Sequence, residues 1–550
     1  MHSAIDSARQ LVQALKAYGI RRVVISPGSR NAPLVIELNA EPFFELFSVV
    51  DERSAAFFAL GMSKTSGEAV ALVCTSGSAV LNYYPAVAEA FNSAVPLLVV
   101  SADRPARMIG IGEGQTIFQH NVLQPHTLFS TQIDGEDAKA DAKLLNRSLD
   151  TLVSAPGPVH INIPFDEPLY GKVAHAGNLF VKENHDGHLK ENPPLPIEPF
   201  TTRWNTTRKK MILFSGIRIS GSLRENLSEL AERPDVVLLS ENTASFRHPG
   251  LIDTIDRLVF MQEEAFEEYR PELLITFGGV LISKKIKYLL RKYPPAIHWH
   301  IDPWRSWDTF GVLTRHIAET PADFFERLTG ATRVLDSGYA GLWKEEYRRA
   351  KQKHDIYASR VIYSDFWVFD SIHRLIPQGV HLEFSNSTPI RYAQLFSWIK
   401  NPVIQANRGT SGIDGSLSTA VGASVVSAEP VLFVTGDLAF YYDINGLWNS
   451  ALQKNFKIVL INNGGGGIFR FIPGPVESGA LEYFETPHEK TARHIAAHYG
   501  MVYLQARGKR EFELNFKELW QTAAPALLEV FTPSMANAEV LRDYFQFIAL

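Results

Sequence analysis

The chain alternates short, unbroken apolar runs with longer segments whose apolar residues recur at helical spacing, and this pattern repeats in three blocks. Unbroken apolar runs of this length are typical of strands buried on both faces, as in a parallel sheet covered by helices. We therefore predict an α/β fold with three doubly wound, mainly parallel-sheet domains. The pattern places these domains at residues 1–182, 210–340 and 360–550.

Individual elements can be predicted from the same alternation. The strands predicted in the first two blocks are Val23–Ser26, Ala69–Cys74, Pro96–Ser101, Val159–Ile163, Met211–Phe214, Val236–Ser240, Leu273–Phe277 and Ile297–Ile301. The helices predicted in the first block are Ala4–Tyr18, Glu52–Lys64 and Ala79–Phe91. Residues 183–209 are polar and rich in proline, which indicates a linker. Residues 341–359 are charged and helical in pattern, and we expect them to form a connecting helix.

Two polar strand ends distinguish the third block. One apolar strand ends in Gly436-Asp437, and after a helix a second strand, Ile458–Ile461, ends in Asn462-Asn463 and four glycines. Because parallel strands of a βαβ unit point the same way, Asp437 and Asn463 are expected to meet at one edge of a sheet. Ordinary turns also favour Asp, Asn and Gly. The spacing, the flanking strands and the glycine run together favour a divalent metal that holds a phosphate.

The amino-acid composition and charge of the chain argue against several classes of function. The 550 residues are 45% hydrophobic and 21% charged, an ordinary globular balance. A formal charge of −5 without a long basic run gives no reason to expect a nucleic-acid partner. The single cysteine, Cys74, excludes an internal disulfide framework and a cysteine-based zinc site. No apolar run approaches the roughly 20 residues that span a bilayer, and the first helix lacks the basic flank of a secretion signal, so we expect a cytoplasmic protein without a membrane partner.

The segment from Gly436 to Asn463 resembles the diphosphate-binding motif of thiamine diphosphate enzymes, which begins Gly-Asp and ends Asn-Asn. The resemblance implies thiamine diphosphate and Mg²⁺ (or Mn²⁺) as cofactors. It also implies a carboxylate, in another domain, that hydrogen-bonds the aminopyrimidine ring of the cofactor. Glu52, at the start of a predicted helix, matches that position and is the predicted catalytic residue. On local sequence alone Glu52 would be a first-turn residue of a surface helix, where the helix dipole stabilises an anion.

Six further segments narrow the resemblance, and they occur in one order along the chain. They are SPGSRNAPL (Ser26–Leu34), DERSAAFFALG (Asp51–Gly61), TSGSAVLNYYPAVAEA (Thr75–Ala90), ADRP (Ala102–Pro105), ANRGTSGIDG (Ala406–Gly415) and GGIFRF (Gly466–Phe471). Together they are similar to the 2-succinyl-5-enolpyruvyl-6-hydroxy-3-cyclohexene-1-carboxylate synthases of menaquinone biosynthesis. The similarity is dense in both outer blocks and thin in the middle one.

This resemblance implies decarboxylation of 2-oxoglutarate and 1,4-addition of the succinyl semialdehyde carbanion to isochorismate, with release of CO₂. Both substrates carry two carboxylates, for which arginine is the preferred partner because it binds them bidentately. The matching substrate-binding positions are Ser29, Arg30, Arg104, Gln115, Lys284, Arg391, Arg408, Ile468 and Phe469. Taken singly, each arginine could equally be a surface or ion-pairing residue. Arg391 follows Ser387 by four residues, so both are expected on one helix face.

Cofactor positions carry over in the same way. The side chains of Asp437 and Asn463 and the carbonyl of Gly465 are the implied metal ligands. The other implied cofactor-binding residues are Ser387, Gly412 and Ile413. Ile413 would be an apolar wedge beneath the cofactor, although a buried core isoleucine would look the same in sequence. The family arrangement further implies a homodimer or homotetramer with active sites at the subunit interface.

Four positions depart from the pattern, and one of them is Gly464, which stands where the family often has a third asparagine and leaves the two metal-binding positions intact. Leu438 stands where the wider superfamily has glycine, which supports the narrower resemblance. Lys285 replaces an arginine, and Gly114 replaces an asparagine and so puts one substrate hydrogen bond in doubt. The alternatives are another thiamine diphosphate-dependent 2-oxoacid decarboxylase, an acetolactate-type carboligase, or a non-catalytic relative. The presence of Glu52, Asp437 and Asn463 argues against the non-catalytic alternative.

Overall fold

Three six-stranded sheets, each parallel throughout, form the framework of the protein in a computed structural model that describes residues 1–183, 194–258, 263–401, 403–471 and 474–549. Alternate residues of a strand enter different apolar clusters, as Val23 and Val24 do, so both faces of a sheet are covered. The predicted α/β fold of three doubly wound parallel domains is confirmed.

The first sheet carries all four strands predicted for it. In spatial order its strands are Glu45–Ser48, Arg22–Ile25, Val70–Cys74, Leu97–Asp103, Val159–Pro164 and Phe129–Gln132. Its helices are Asp6–Ala17, Ala32–Ala40, Glu52–Ser66, Ala79–Asn82, Tyr84–Ser93 and Ala138–Ser154, with short 3₁₀ turns at Ala106–Met108 and Gln124–His126. A small antiparallel pair joins His2–Ser3 to Lys172–Val173.

One predicted helix of this domain is divided in two. The expected helix Ala79–Phe91 is broken at Tyr83, and its second part begins at Tyr84. Pro85 is the second residue of that part, and because proline has no N–H it cannot continue the helical hydrogen-bond ladder. The Tyr83 hydroxyl donates to Ser26 and to the carbonyl of Val73, so the break lies against two strand ends of the sheet.

The middle sheet likewise contains all four predicted strands. In spatial order its strands are Leu251–Ile252, Val236–Ser240, Lys210–Ser215, Leu273–Gly278, Ile297–Ile301 and Arg315–Ile317. Its helices are Gly221–Glu232, Ile255–Leu258, Phe266–Tyr269, Lys284–Lys292 and Pro321–Thr329, with a 3₁₀ turn at Glu263–Ala265.

The interval 183–209, expected to be a linker, contains the helix Glu198–Thr206. Phe200 and Trp204, one helical turn apart, are buried in the apolar core of the middle domain, which explains why this part forms a helix packed on that domain. Residues 184–193 of the expected linker lie outside the described residues. The interval expected to hold a connecting helix is spanned by the helix Tyr339–Arg360.

The third sheet places the two polar strand ends side by side. In spatial order its strands are Ile404–Gln405, His381–Phe384, Val431–Gly436, Phe456–Asn462, Ala526–Phe531 and Val502–Ala506. Its helices are Asp365–Leu375, Thr388–Ala393, Ser416–Val426, Asp437–Tyr442, Leu481–Glu485, Arg493–His498, Lys509–Gln521 and Ser534–Ala549, with 3₁₀ turns at Ile444–Leu447 and Gly467–Arg470. Gly436 pairs with Ile461 in parallel register, so Asp437 and Asn463 leave the sheet at the same edge, as predicted.

The outer domains pack through the helices Glu52–Ser66 and Ser416–Val426. A Cβ on Gly61 would lie 1.9 Å from the carbonyl oxygen of Thr419, and one on Gly422 would lie 2.0 Å from that of Phe58. Only glycine permits backbones to approach this closely. Within the described ranges, no helix has the length and apolar character that a membrane span requires.

Candidate active site

Asp437 is buried at the end of the strand Val431–Gly436, where backbone donors surround its carboxylate. Its Oδ2 accepts the N–H groups of Gly464 and Gly465, each at 2.9 Å, and its Oδ1 accepts its neighbour Leu438 N–H at 2.7 Å. Burial raises the pKa of Asp437 to about 6, although these N–H groups oppose the rise. The glycine run and the strand end therefore hold one carboxylate in a buried position lined by backbone donors.

Asn463 presents an oxygen that has no protein partner. Its Nδ2 donates to Oδ2 of Asp365 at 3.1 Å, while its Oδ1 is buried and accepts no hydrogen bond from any described residue. Buried polar atoms are normally satisfied, so this oxygen is available to accept a hydrogen bond or to ligate a cation. Gly465 has φ 148°, and a Cβ there would lie 2.6 Å from the carbonyl oxygen of Glu485. These residues fit a divalent metal with oxygen ligands.

A cavity opens beside this pair and collects most of the predicted cofactor residues. Its lining includes Ser387, Ile413, Asp437, Asn463, Gly465 and Phe469. Gly412 adjoins this cavity, since its carbonyl accepts the Nδ2 of the lining residue Asn386 at 2.6 Å. Ser387 has a positive φ of 72°, an uncommon backbone conformation that a functional site can retain, and the helix Thr388–Ala393 begins directly after it.

A second cavity shares Asp365, Thr388 and Gly467 with the first. It brings together three predicted substrate residues, Lys284, Arg391 and Ile468, and Lys285 lines it as well. Burial lowers the pKa of Arg391, while the nearby Asp256 and Glu241 act in the opposite direction. Because the two cavities adjoin, the unpartnered amide oxygen of Asn463 and a group of cationic side chains line one continuous space.

Arg408 lies close to this group without lining either of the two cavities. Its guanidinium donates to Oδ1 of Asn386 at 2.7 Å, its Nε is buried without a described partner, and burial lowers its pKa. It lines a third cavity, which also includes Lys64 and Gly216. The structure thus connects Arg408 to the predicted cofactor cavity through Asn386.

The other predicted substrate residues gather at the carboxyl ends of the first sheet. Arg30 is buried and donates to the carbonyl of Phe165 at 2.9 Å. Arg104 lies 3.9 Å from Glu113, and its Nε is buried without a described partner. Gln115 has a positive φ of 55°. Its backbone lies close to Gly77, since a Cβ built on Gly77 would be 3.4 Å from it.

Ser29 precedes Arg30 in the same loop. No described residue of the first domain lines the cofactor cavity or the adjoining substrate cavity. Within one chain, the predicted site is therefore divided into two groups of residues.

Glu52 belongs to the first-domain group. The helix Glu52–Ser66 begins at this residue, and Asp51 caps it by accepting the Ser54 N–H at 3.2 Å. Asp51 also accepts the Nδ2 of Asn445 at 2.7 Å, which ties the helix start to the third domain. Burial raises the pKa of Glu52, and the negative charge of Asp51 adds to the rise. Its carboxyl group is thereby poised to retain a proton more readily than an exposed glutamate.

The sequence analysis does not predict four titratable residues in or next to this site, three of them acidic and one a histidine. Asp365 is buried and accepts the Thr532 hydroxyl at 2.6 Å as well as the Asn463 amide, and burial raises its pKa to about 6. His488 places Nε2 at 3.4 Å from Oδ2 of Asp437. Both occur outside the motifs, and a first-turn aspartate such as Asp365 looks in sequence like any helix start.

The other two missed residues come from the middle domain. Glu241 is fully buried and accepts the N–H groups of Ile282 and Ser283, the latter at 2.7 Å. Asp256 accepts the hydroxyl of Ser283, which caps the helix Lys284–Lys292. The two carboxylates therefore fix the helix start that carries Lys284.

Comparisons with known proteins agree with this geometry. Family models described as "Thiamine pyrophosphate enzyme, N-terminal TPP binding domain" and "Thiamine pyrophosphate enzyme, C-terminal TPP binding domain" match residues 5–130 and 387–530. Relatives that match the chain carry the name 2-succinyl-5-enolpyruvyl-6-hydroxy-3-cyclohexene-1-carboxylate synthase. The protein of Flavobacterium johnsoniae is 45% identical and that of Flavobacterium psychrophilum 42%, each over 99% of both chains. The protein of Porphyromonas gingivalis is 40% identical over 98% of this chain and 96% of its own. Because relatives this similar match it along nearly its whole length, the chain belongs to the 2-succinyl-5-enolpyruvyl-6-hydroxy-3-cyclohexene-1-carboxylate synthase family of thiamine pyrophosphate enzymes.

Proposed function

We propose that this chain is a thiamine diphosphate-dependent synthase that decarboxylates 2-oxoglutarate and joins the remaining four-carbon unit to isochorismate in menaquinone biosynthesis. The observation that carries the proposal is the continuity between the cavity around Asp437 and Asn463 and the one lined by Lys284 and Arg391. An oxygen-lined anchor for a metal and a phosphate thus adjoins a cationic pocket of the kind that dicarboxylate substrates need.

The anchor residues fit the cofactor that the family uses. The side chain of Asp437, the orphaned Oδ1 of Asn463 and the carbonyl of Gly465 would hold Mg²⁺ or Mn²⁺, and the metal would hold the diphosphate. Ile413, with Ser387 and Gly412, would support the rest of the molecule. When bound, thiamine diphosphate supplies the electron sink that decarboxylation and carbon–carbon bond formation require.

Glu52 would hold a proton against a ring nitrogen of the cofactor, and its raised pKa suits that role. Since the first-domain residues lie apart from the cofactor cavity of their own chain, we propose that a second copy supplies Glu52. The active enzyme would then be a homodimer or homotetramer with active sites between subunits. The same copy would supply Ser29, Arg30, Arg104 and Gln115.

The cations would bind the substrate carboxylates. Lys284 and Arg391 line the pocket directly, and Arg408 donates a hydrogen bond to Asn386, which lines the adjoining cofactor cavity. Ile468 and Phe469, from the segment after the glycine run, would form an apolar wall that limits access of water to the reacting atoms. Exclusion of water favours addition to isochorismate over protonation and release of an aldehyde.

The direct test is incubation of the purified chain with isochorismate, 2-oxoglutarate, thiamine diphosphate and Mg²⁺. We expect formation of the adduct with one CO₂ released per adduct, measured by chromatography and by a coupled CO₂ assay. Release of CO₂ from 2-oxoglutarate at the same rate without isochorismate would contradict the proposal and identify a simple decarboxylase. A 2-oxoacid other than 2-oxoglutarate serves as the matched substrate control.

A further inference from the structure

The amide of Asn463 has two ends with opposite hydrogen-bonding character. Only its oxygen can ligate a hard cation, whereas its nitrogen can only donate. A half-turn of the amide would therefore present an N–H₂ group to the metal and abolish one ligand. Something in the protein must select one of the two orientations.

The neighbour that faces the amide nitrogen is Asp365. Its Oδ2 lies 3.1 Å from Nδ2 of Asn463, and a carboxylate offers only acceptors to that side of the amide. The opposite end of the amide, Oδ1, is buried and has no partner among the described residues. With the acceptor in this position, the nitrogen must face Asp365 and the oxygen must face away from it.

Asp365 is itself held from three directions. Its Oδ1 accepts the hydroxyl of Thr532 at 2.6 Å, and its own N–H donates to Oδ1 of Asn537 at 2.9 Å. Ser364 caps the helix that Asp365 begins. The residue is only 2% exposed, and it lines both the cofactor cavity and the substrate cavity. Its carboxylate therefore has a fixed position from which to orient a neighbour.

We propose that Asp365 is a positioning residue that fixes the amide of Asn463 with Oδ1 turned toward the metal. This inference rests on the proposed roles of Asp437 and Asn463 as metal ligands. Residues that orient metal ligands typically change metal affinity by 10–100-fold when they are lost.

The test measures metal binding by the purified full-length chain. Mn²⁺ is titrated by electron paramagnetic resonance in the presence of thiamine diphosphate, and cofactor affinity is measured by calorimetry at saturating Mg²⁺. Asp365→Ala is expected to weaken Mn²⁺ binding roughly 10–100-fold. Asp365→Asn should restore affinity to within about threefold of the parent, because its amide oxygen can accept from Asn463 while its nitrogen donates to Thr532.

Two further variants keep the result interpretable. Thr532→Val removes the hydroxyl that holds the other carboxylate oxygen of Asp365 and leaves the acceptor for Asn463 in place, so we expect a smaller loss of Mn²⁺ affinity than in the alanine variant. Asp365→Leu has the same branched shape and the same number of side-chain heavy atoms but no acceptor, and it replaces the alanine variant if that variant does not fold. Parental affinity in the alanine or leucine variant, or equal losses in the alanine and asparagine variants, would overturn the proposal.

The outcome also distinguishes the positioning role of Asp365 from the proposed metal site on which it rests. Asp437→Ala and Asn463→Ala are titrated in parallel with the Asp365 variants. If both lose Mn²⁺ affinity while Asp365→Ala does not, the metal site stands and the positioning role fails. If neither ligand variant loses affinity, the proposed metal site itself is wrong.

Discussion

Glu89 and Thr410 are joined by two hydrogen bonds across 321 residues of sequence: the Glu89 carboxylate accepts the Thr410 N–H at 2.6 Å and its hydroxyl at 2.9 Å. The same carboxylate accepts the N–H of Gly409 at 2.8 Å, and Glu89 is fully buried. A helix of the first domain thereby fixes the loop that carries Arg408, just before Gly412 and Ile413.

Replacing Glu89 with alanine is expected to cost about 2–4 kcal/mol of stability, because buried N–H and hydroxyl donors would lose their acceptor. It should also weaken thiamine diphosphate binding, since the loop that carries Ile413 would lose its attachment. Thermal unfolding and calorimetric titration of the cofactor measure the two effects. Glu89→Gln keeps one acceptor oxygen and should show smaller losses in both. Parental cofactor affinity in the alanine variant would mean that the loop keeps its shape without Glu89.

The contact between the two outer domains predicts that alanine substitution at two different glycines has opposite effects on stability. Gly422→Ala is expected to destabilise the protein by about 3 kcal/mol or more, because the new Cβ would overlap the carbonyl oxygen of Phe58. Gly341 provides the matched control, since it is exposed, helical and has nothing within 4 Å of an added Cβ. Gly341→Ala should raise stability by roughly 0.5 kcal/mol. Equal melting temperatures for the two variants would contradict the close helix packing.

His160 gives a pH dependence whose direction follows from burial. It is fully buried between the hydroxyls of Ser101 and Ser130, and burial lowers its pKa to about 3. Between pH 3 and 6.5 the folded protein therefore keeps this imidazole neutral while the unfolded chain binds a proton. Its contribution to stability is present above pH 6.5 and is lost as the pH falls toward 3.

The comparison is with His160→Gln, which lacks this titration. From pH 7.5 to pH 5, the parent should lose about 2 kcal/mol of stability relative to the variant. Denaturant unfolding at both pH values measures this difference, and other titrating groups cancel because both proteins contain them. If the stability of the parent relative to the variant stays constant or increases toward pH 5, His160 is protonated in the folded state.

The strands that the sequence predicts are those buried on both faces. Each of the eight predicted in the first two blocks is present, because an unbroken apolar run between turn residues has few other uses. Edge strands escaped prediction: Glu45–Ser48 and Phe129–Gln132 are only partly buried and carry polar residues. Their strand character comes from pairing with a neighbour, which local sequence does not encode.

The candidate site likewise contains some contacts that the sequence predicts and others that it does not. Asp437 and Asn463 could be placed together because parallel strands bring their ends to one edge, and the pairing of Gly436 with Ile461 confirms it. Asp365 could not, since its contact with Asn463 joins positions 98 residues apart and depends on how a helix packs against the sheet. The separation of Arg391 from Arg408 into different cavities likewise depends on three-dimensional packing rather than on the motifs.

Whether two copies share one active site can be decided with two inactive variants. Glu52→Gln should keep the fold and the metal site but lower turnover by on the order of 10²-fold or more, because an amide cannot share a proton as a carboxyl group does. Asp437→Ala should lose metal and cofactor binding together. Each variant alone is therefore expected to be nearly inactive, for different reasons.

Co-expression of the two variants with different affinity tags yields mixed oligomers. If Glu52 of one copy serves Asp437 of another, each mixed pair contains one intact site, and random pairing should restore about a quarter of parental activity. If both residues serve the same chain, the mixture stays as inactive as its parts. Mixing the separately purified variants without subunit exchange is the control, and it should show no recovery. Activity in the mixed oligomers that fails to exceed this control would contradict the shared site and return Glu52 to its own chain.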